Sequence, residues 1–300
     1  MDALALAEST GEDRWTAEIW RNQGVIERER GAFDTAARIF AEARSLAEGR
    51  RELVLTADIT REQAALYRAM GRNQDTLRAL TEARRMFEQV RARRDLADLG
   101  RRMQDLEGEF LEIVREWGAS IERKDAYTQG HCDRVADYAC RLAAAVGMAE
   151  SDLKWFRMGA LLHDVGKVSV PMEILNKAGK LDDSEWAIMA RHPVTGVELL
   201  EDVEFPWDVR PMILHHHERF NGSGYPHKLR GDDIPFAARI LTVADVWDAL
   251  TTSRSYRPAF DSAKAFRIMQ EESGTTFDPD LLPVFATVLE SMGTGVRLAA

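Results

Sequence analysis

Apolar residues in the first third of the chain recur every three or four positions over long stretches, the spacing of one buried helix face. Two segments share more than this period. Trp20 to Gly24, then Gly31, Phe33, Ala36, Phe40 and Ala43, return as Leu66, Tyr67, Gly71, Leu77, Leu80 and Ala83, with Gly31 matching Gly71 at an offset of 40 residues. Small residues at fixed places let paired helices approach closely, and a glycine ends the first helix of each pair. This predicts either a helical repeat or a plain antiparallel bundle. From Leu96 the apolar positions continue as Leu99, Met103, Leu106, Phe110, Ile113, Val114 and Trp117. Alternating threes and fours predict one long helix, whose seam serves either a dimer partner or the chain itself.

Beyond residue 120 the pattern is shorter and punctuated. Asp182 and Glu185 have the spacing of a capping box opening a helix through Met189. Pro193 fits the first turn of the next helix. Residues 234–250 are apolar-rich and helical, ending before Arg254. Asp278-Pro279 is read as the N-cap and first-turn proline of the last helix, with Gly293 beyond its end. No alternating stretch bounded by turns predicts a strand. The expected fold is all-α.

Composition divides this helical chain. Residues 1–120 hold 20 arginines and no lysine against 23 acidic residues, whereas all seven histidines and all nine prolines lie beyond them. No Gly/Ser/Pro linker intervenes. We therefore expect a helical-repeat, regulatory region over 1–118 and a second domain over 119–300, joined inside a helix. The formal charge of −10 argues against a nucleic-acid polymer as partner. A small anion remains possible if metal ions or a local basic cluster offset its charge. The two cysteines, Cys132 and Cys140, exclude a disulfide framework and a thiolate zinc site. The absence of an apolar run of about 18 residues and of a basic leader predicts a cytoplasmic chain that does not engage a membrane.

The polar residues set into the helical pattern carry the chemistry. His131 opens a helical run, and His163-Asp164 follows the apolar stretch 158–162. His192 stands before Pro193, and His215-His216-His217-Glu218 ends another helix. Asp245 interrupts an otherwise apolar helix. A buried carboxylate needs a partner or a metal. Several imidazoles and two aspartates on different helices of one bundle predict a metal cluster in its core. Imidazole and carboxylate without thiolate suit iron, manganese or zinc with open positions.

These residues carry a family resemblance. The order His131, His163-Asp164, Asp245 resembles the HD superfamily of metal-dependent phosphohydrolases. Tyr127-Thr-Gln-Gly-His131-Cys-Asp-Arg134, Leu-Leu-His163-Asp164-Val-Gly166-Lys167, and Arg-His192-Pro-Val-Thr-Gly196 narrow it. So do His216-His217-Glu218-Arg219-Phe-Asn221-Gly222-Ser-Gly224-Tyr225-Pro226 and Asp245-Val-Trp-Asp248-Ala-Leu-Thr-Thr-Ser-Arg254-Ser-Tyr-Arg257. Together, over about residues 118–295, they resemble an HD-GYP domain, a bacterial cyclic di-GMP phosphodiesterase. The N-terminal repeat resembles the tetratricopeptide repeat, whose usual period is 34.

The resemblance implies roles by position. His131, His163, Asp164 and Asp245 would hold one divalent ion. Asp164, His192, His216 and His217 would hold a second, the pair being iron or manganese. Such a pair activates water and offsets charge on a phosphodiester. Asp164 and Lys167 would be catalytic, with Lys167 beside the developing phosphoryl charge. Arg254, Arg257 and Asp125 would bind substrate, although the two arginines could instead neutralise a helix C-terminus. Gly224, Tyr225 and Pro226 would form a loop orienting the neighbouring histidines. His215 would be a surface or supporting residue, His227 a loop residue, and Asp248 either a supporting carboxylate or a cap. Glu218 would support a ligand or stay exposed, and Cys132 would be a small helix residue. Two positions depart from the family: Tyr127 replaces a glutamate associated with a third metal, and Asn221 replaces a common aspartate. The implied reaction is hydrolysis of cyclic di-GMP to linear 5′-pGpG. The alternatives are another cyclic dinucleotide such as cyclic GMP-AMP, or a signalling adaptor with low turnover. The N-terminal region would bind a protein or peptide partner or mediate a homodimer.

Overall fold

The computed structural model describes residues 15–91, 97–124, 130–203, 205, 208–253 and 258–296, and the side chains of 91–104 lie outside that description. The expectations placed on Asp125, Tyr127, Arg254 and Arg257, and on the side chains of Leu96, Leu99 and Met103, fall outside it. The chain divides into two compact units, 1–113 with 202–204 and 114–201 with 205–300. Apart from an isolated bridge between Ser273 and Phe277, both are helical among the described residues, as the apolar periodicity predicts.

The first unit contains α1 (Thr16–Glu29), α2 (Phe33–Gly49), α3 (Leu53–Ala69), α4 (Asn73–Arg91) and the start of α5 (Ala97–Glu122). Three of its turns repeat one construction. Gly31, Arg51 and Gly71 all have left-handed backbones, at φ 76°, 58° and 71°. The amide of the next residue reaches back to a helix carbonyl each time: Ala32 to Glu27, Glu52 to Ala47, and Arg72 to Tyr67, at 2.9–3.0 Å. This turn caps the last carbonyls of a helix. The 40-residue offset in the sequence is thus two helices with their two turns. The core gathers Ala17, Ala36, Phe40, Ala43, Ala47, Ile59 and Leu66. At Gly24 an added Cβ would lie 2.6 Å from the Phe40 ring, so only glycine seats that ring. Arginines tie neighbouring helices through Arg28–Glu62 at 2.7 Å and Arg44–Glu82 at 2.5 Å. Pairs this exposed contribute at most about 1 kcal/mol each. Leu106, Phe110 and Ile113 of the long seam are buried within the chain, as are Val114 and Trp117 further along α5.

The second unit contains the rest of α5, α6 (His131–Ala145), α7 (Glu150–Leu162) and a 3-10 turn (Val165–Ser169), then α8 (Met172–Leu175), α9 (Asp183–Met189), α10 (His192–Leu199) and α11 (Arg210–His215). It closes with α12 (Phe236–Thr251), α13 (Ser262–Glu271) and α14 (Leu281–Ser291). Tyr138, Trp247 and Phe285 meet edge to face, with ring centroids 5.8–6.4 Å apart, fastening α6, α12 and α14. The capping box Asp182/Glu185 opens α9 as the spacing predicts, and Pro193 lies in the first turn of α10. The last helix differs from expectation: it starts at Leu281 behind Asp280, not behind Asp278. Asp278 is 5% exposed; its Oδ2 accepts from the Arg239 guanidinium at 2.7 Å and its Oδ1 from the Asp280 amide at 3.0 Å, just ahead of the helix. Among the described residues no helix is long and apolar enough to cross a membrane.

Candidate metal centre

Helix ends deliver the polar residues to one place in the second unit. His131 is the first residue of α6, His163 caps the end of α7, and Asp164 leads into the 3-10 turn. His192 opens α10, and His216 and His217 follow α11. Asp245 alone projects from the middle of a helix, α12. Close backbone approach makes this convergence possible. A Cβ on Gly166 would fall 1.9 Å from the His192 carbonyl oxygen, so the turn after Asp164 and the start of α10 can touch only through glycine.

Two groups form, with one possible ligand atom from each member lying within 4.8 Å of the others. His131, His163 and Asp245 make the first, and Asp164, His192, His216 and His217 make the second. Asp164 joins them. Its Oδ2 lies 3.4 Å from His163 Nε2 and 4.0 Å from His131 Nε2, while its Oδ1 lies 3.3 Å from His192 Nε2. Lys167 Nζ donates to the same Oδ2 at 2.6 Å. Asp245 Oδ1 sits 3.4 Å from His131 Nε2.

The rear nitrogens of the rings define their front faces. His163, His192 and His216 Nδ1 lie 2.7–2.9 Å from the carbonyls of Ala160, Met189 and Ile213. A carbonyl only accepts, so each Nδ1 donates, and in the neutral ring it is Nε2 that carries the lone pair. His163 Nε2 is buried without a hydrogen-bond partner. His192 and His216 Nε2 face each other at 3.3 Å. Buried lone pairs that converge on one another are satisfied by a cation, and backing a ligand imidazole with a carbonyl or carboxylate is how metal sites orient it. The residues therefore fit divalent ions.

Charge agrees with the geometry. Burial opposes ionisation of Asp164, yet Lys167 and the surrounding imidazoles hold its carboxyl well below the usual carboxylate range. Burial likewise opposes, but His131 hydrogen bonding overrides, so that Asp245 is also held low. Burial keeps His192 neutral down to about 4 and His217 down to about 3, and pushes His216 well below the ordinary imidazole range. His131 moves the other way. Its burial is outweighed by Asp245 and Asp248, which raise it to about 9.

The supporting residues are visible only in three dimensions. Asp248 is the supporting carboxylate: its Oδ2 meets His131 Nδ1 at 2.7 Å, and Arg134 Nε donates to its Oδ1 at 2.6 Å. No role was expected for Arg134, and its place one turn after His131 was the available signal. Glu122, also unexpected, accepts from the amides of Gly130 and Cys132 and anchors the start of α6. It has no local signal, because α6 otherwise lacks a side-chain cap. Glu218 is 2% exposed, and its oxygens accept from the amides of His227 and Leu229 at 2.7 and 3.1 Å. That pins the loop containing Gly224, Tyr225 and Pro226. Gly224 permits the fold-back, since a Cβ there would lie 2.5 Å from Glu218 Cα. Tyr225 stacks on His217 with centroids 4.9 Å apart, and the exposed Trp186 meets Tyr225 edge-on at 5.8 Å. Cys132 is a buried helix residue. His215 is partly buried, with its side chain 12% exposed.

A helical bundle whose core gathers histidines and aspartates from separate helix ends defines a class of divalent-metal-binding domain. The family model described as HD domain matches residues 117–281, and the chain belongs to that family. Among curated proteins it is 40% identical over 182 residues to 3′3′-cGAMP-specific phosphodiesterase 2 of Vibrio cholerae, covering 60% of this chain and 35% of that one. It is 39% identical over 176 residues to 3′3′-cGAMP-specific phosphodiesterase 3 of the same organism, covering 58% and 38%. It is 38% identical over 179 residues to the cyclic di-GMP phosphodiesterase response regulator RpfG of Xanthomonas campestris, covering 59% and 47%. The chain thus spans less than half the length of each of these relatives.

Proposed function

We propose that the chain is a metal-dependent phosphodiesterase hydrolysing cyclic di-GMP to linear 5′-pGpG. The observation that supports this best is Asp164, whose two oxygens face two separate groups of imidazoles. In this reading His131, His163 and Asp245 hold one ion with Asp164, and His192, His216 and His217 hold the second. When bound, such a pair lowers the pKa of water and offsets the phosphodiester charge. Lys167, whose ammonium donates to Asp164 at 2.6 Å, would offset charge developing on a phosphoryl oxygen. Arg254 and Arg257 clamp substrate phosphate or guanine, and Asp125 contacts substrate. Tyr225 stacks on His217 and would help orient that ring.

We assign two ions, iron or manganese, to this core, because Tyr127 stands where a third would need a carboxylate. Product analysis should then show 5′-pGpG accumulating with little GMP, and Tyr127→Glu should gain a metal. Residues 1–118 are proposed as a tetratricopeptide-like regulatory region whose groove reads a peptide.

Asp164→Ala tests the central claim. Hydrolysis of cyclic di-GMP should vanish while the far-UV helical signal stays, and His192→Ala should act similarly. Turnover at the wild-type rate in Asp164→Ala would refute the mechanism. The named activity of the two Vibrio cholerae relatives favours a second reading, cyclic GMP-AMP as substrate. A panel of cyclic dinucleotides offered to manganese-loaded protein separates the two by their kcat/KM ratio.

A further inference from the structure

Three residues outside the core centre form a separate constellation. His215 ends α11, one residue before His216, and its Nδ1 lies 3.8 Å from Glu218 Oε1. Its ring centroid is 5.2 Å from that of the exposed His227. One ligand atom from each of the three lies within 4.8 Å of the others. His215 Nδ1 is buried and has no hydrogen-bond partner. The Glu218 side chain is fully buried, and its hydrogen bonds come from two backbone amides, which carry no formal charge. A buried carboxylate without a cation bonded to it is costly. Each of its oxygens spends one lone pair on an amide and keeps another.

We propose that His215, Glu218 and His227 form a second metal site, which takes a zinc ion. Two imidazoles and one carboxylate with an open fourth position suit zinc, whereas calcium and magnesium call for oxygen donors. Bonds of about 2.1 Å to a tetrahedral ion set its ligand atoms about 3.4 Å apart. The exposed His227 ring turns inward to close that distance, while its backbone stays tied to Glu218. The ion joins the end of α11 to the loop that carries Tyr225 over His217. Its consequence is a clamped loop at the edge of the core centre. The site stands on its own residues and is independent of the phosphodiester reading.

The test uses the full chain dialysed against micromolar zinc, with metal counted by elemental analysis. His227→Gln keeps the backbone amide that Glu218 holds and removes one ligand. The wild type should retain one more zinc per chain than this variant. Hydrogen exchange over residues 222–229 should slow on zinc addition in the wild type and not in the variant. His215→Gln, checked by far-UV circular dichroism, provides a second removal with the same expected loss of one ion. Equal zinc counts in the wild type and both folded variants, with equal protection of the loop, would overturn the proposal.

Discussion

His131 differs from His192, His216 and His217 in that its surroundings raise its pKa where theirs lower it. Asp245 and Asp248 lie against its two nitrogens, and its folded pKa of about 9 leaves it protonated at pH 7.5 without metal. A metal can take Nε2 only after that proton leaves. Loading metal-free protein at pH 7.5 should therefore release about one proton per chain, read as the buffer dependence of the calorimetric binding heat. Asp248 acts through His131 and does not face the two ligand groups. Asp248→Ala should weaken metal binding by about 10–100-fold, whereas Asp248→Asn, which still accepts a hydrogen bond, should lose less. A titration showing unchanged affinity in both variants would remove Asp248 from the site.

Helices place these residues by their ends, and helix contacts are set by the smallest side chains. Gly24 against Phe40 is one such contact. Gly24→Ala should destabilise the first unit by about 1–3 kcal/mol, the usual cost of overpacking. Arg51 is the converse case. It occupies the left-handed turn position that Gly31 and Gly71 fill elsewhere, where a Cβ costs about 1–2 kcal/mol. Arg51→Gly should recover about 1 kcal/mol. Urea unfolding measures both, and the two shifts should have opposite sign. These turns were legible in the sequence at the two glycines. The third was not, because arginine carries no left-handed signal and only the 20-residue step between turns reveals it.

For the whole molecule, the imidazoles link stability to pH. His192 and His217 titrate near 6.5 when unfolded but near 4 and 3 when folded and metal-free. Between those limits the unfolded chain binds more protons, so stability falls as pH falls from about 6.5 towards 4. His131, being raised, contributes most below 6.5 and loses that contribution as pH climbs through 9. The melting temperature of metal-free protein should thus drop on acidification, and a flat profile from pH 6.5 to 4 would contradict the neutral buried state of His192 and His217. The sequence by itself determined the helical class and the capping box at Asp182, both of which depend on local spacing. Its resemblance to the HD-GYP family offered the candidate histidines and aspartates. Tertiary structure alone decided that Arg134 reaches Asp248 behind His131, that Glu122 anchors α6, and that Glu218 holds the loop beside His215 and His227. Those are distances between residues far apart in the chain or on facing helix ends. Periodicity says which face of a helix is buried, but it says nothing about which other helix end that face meets.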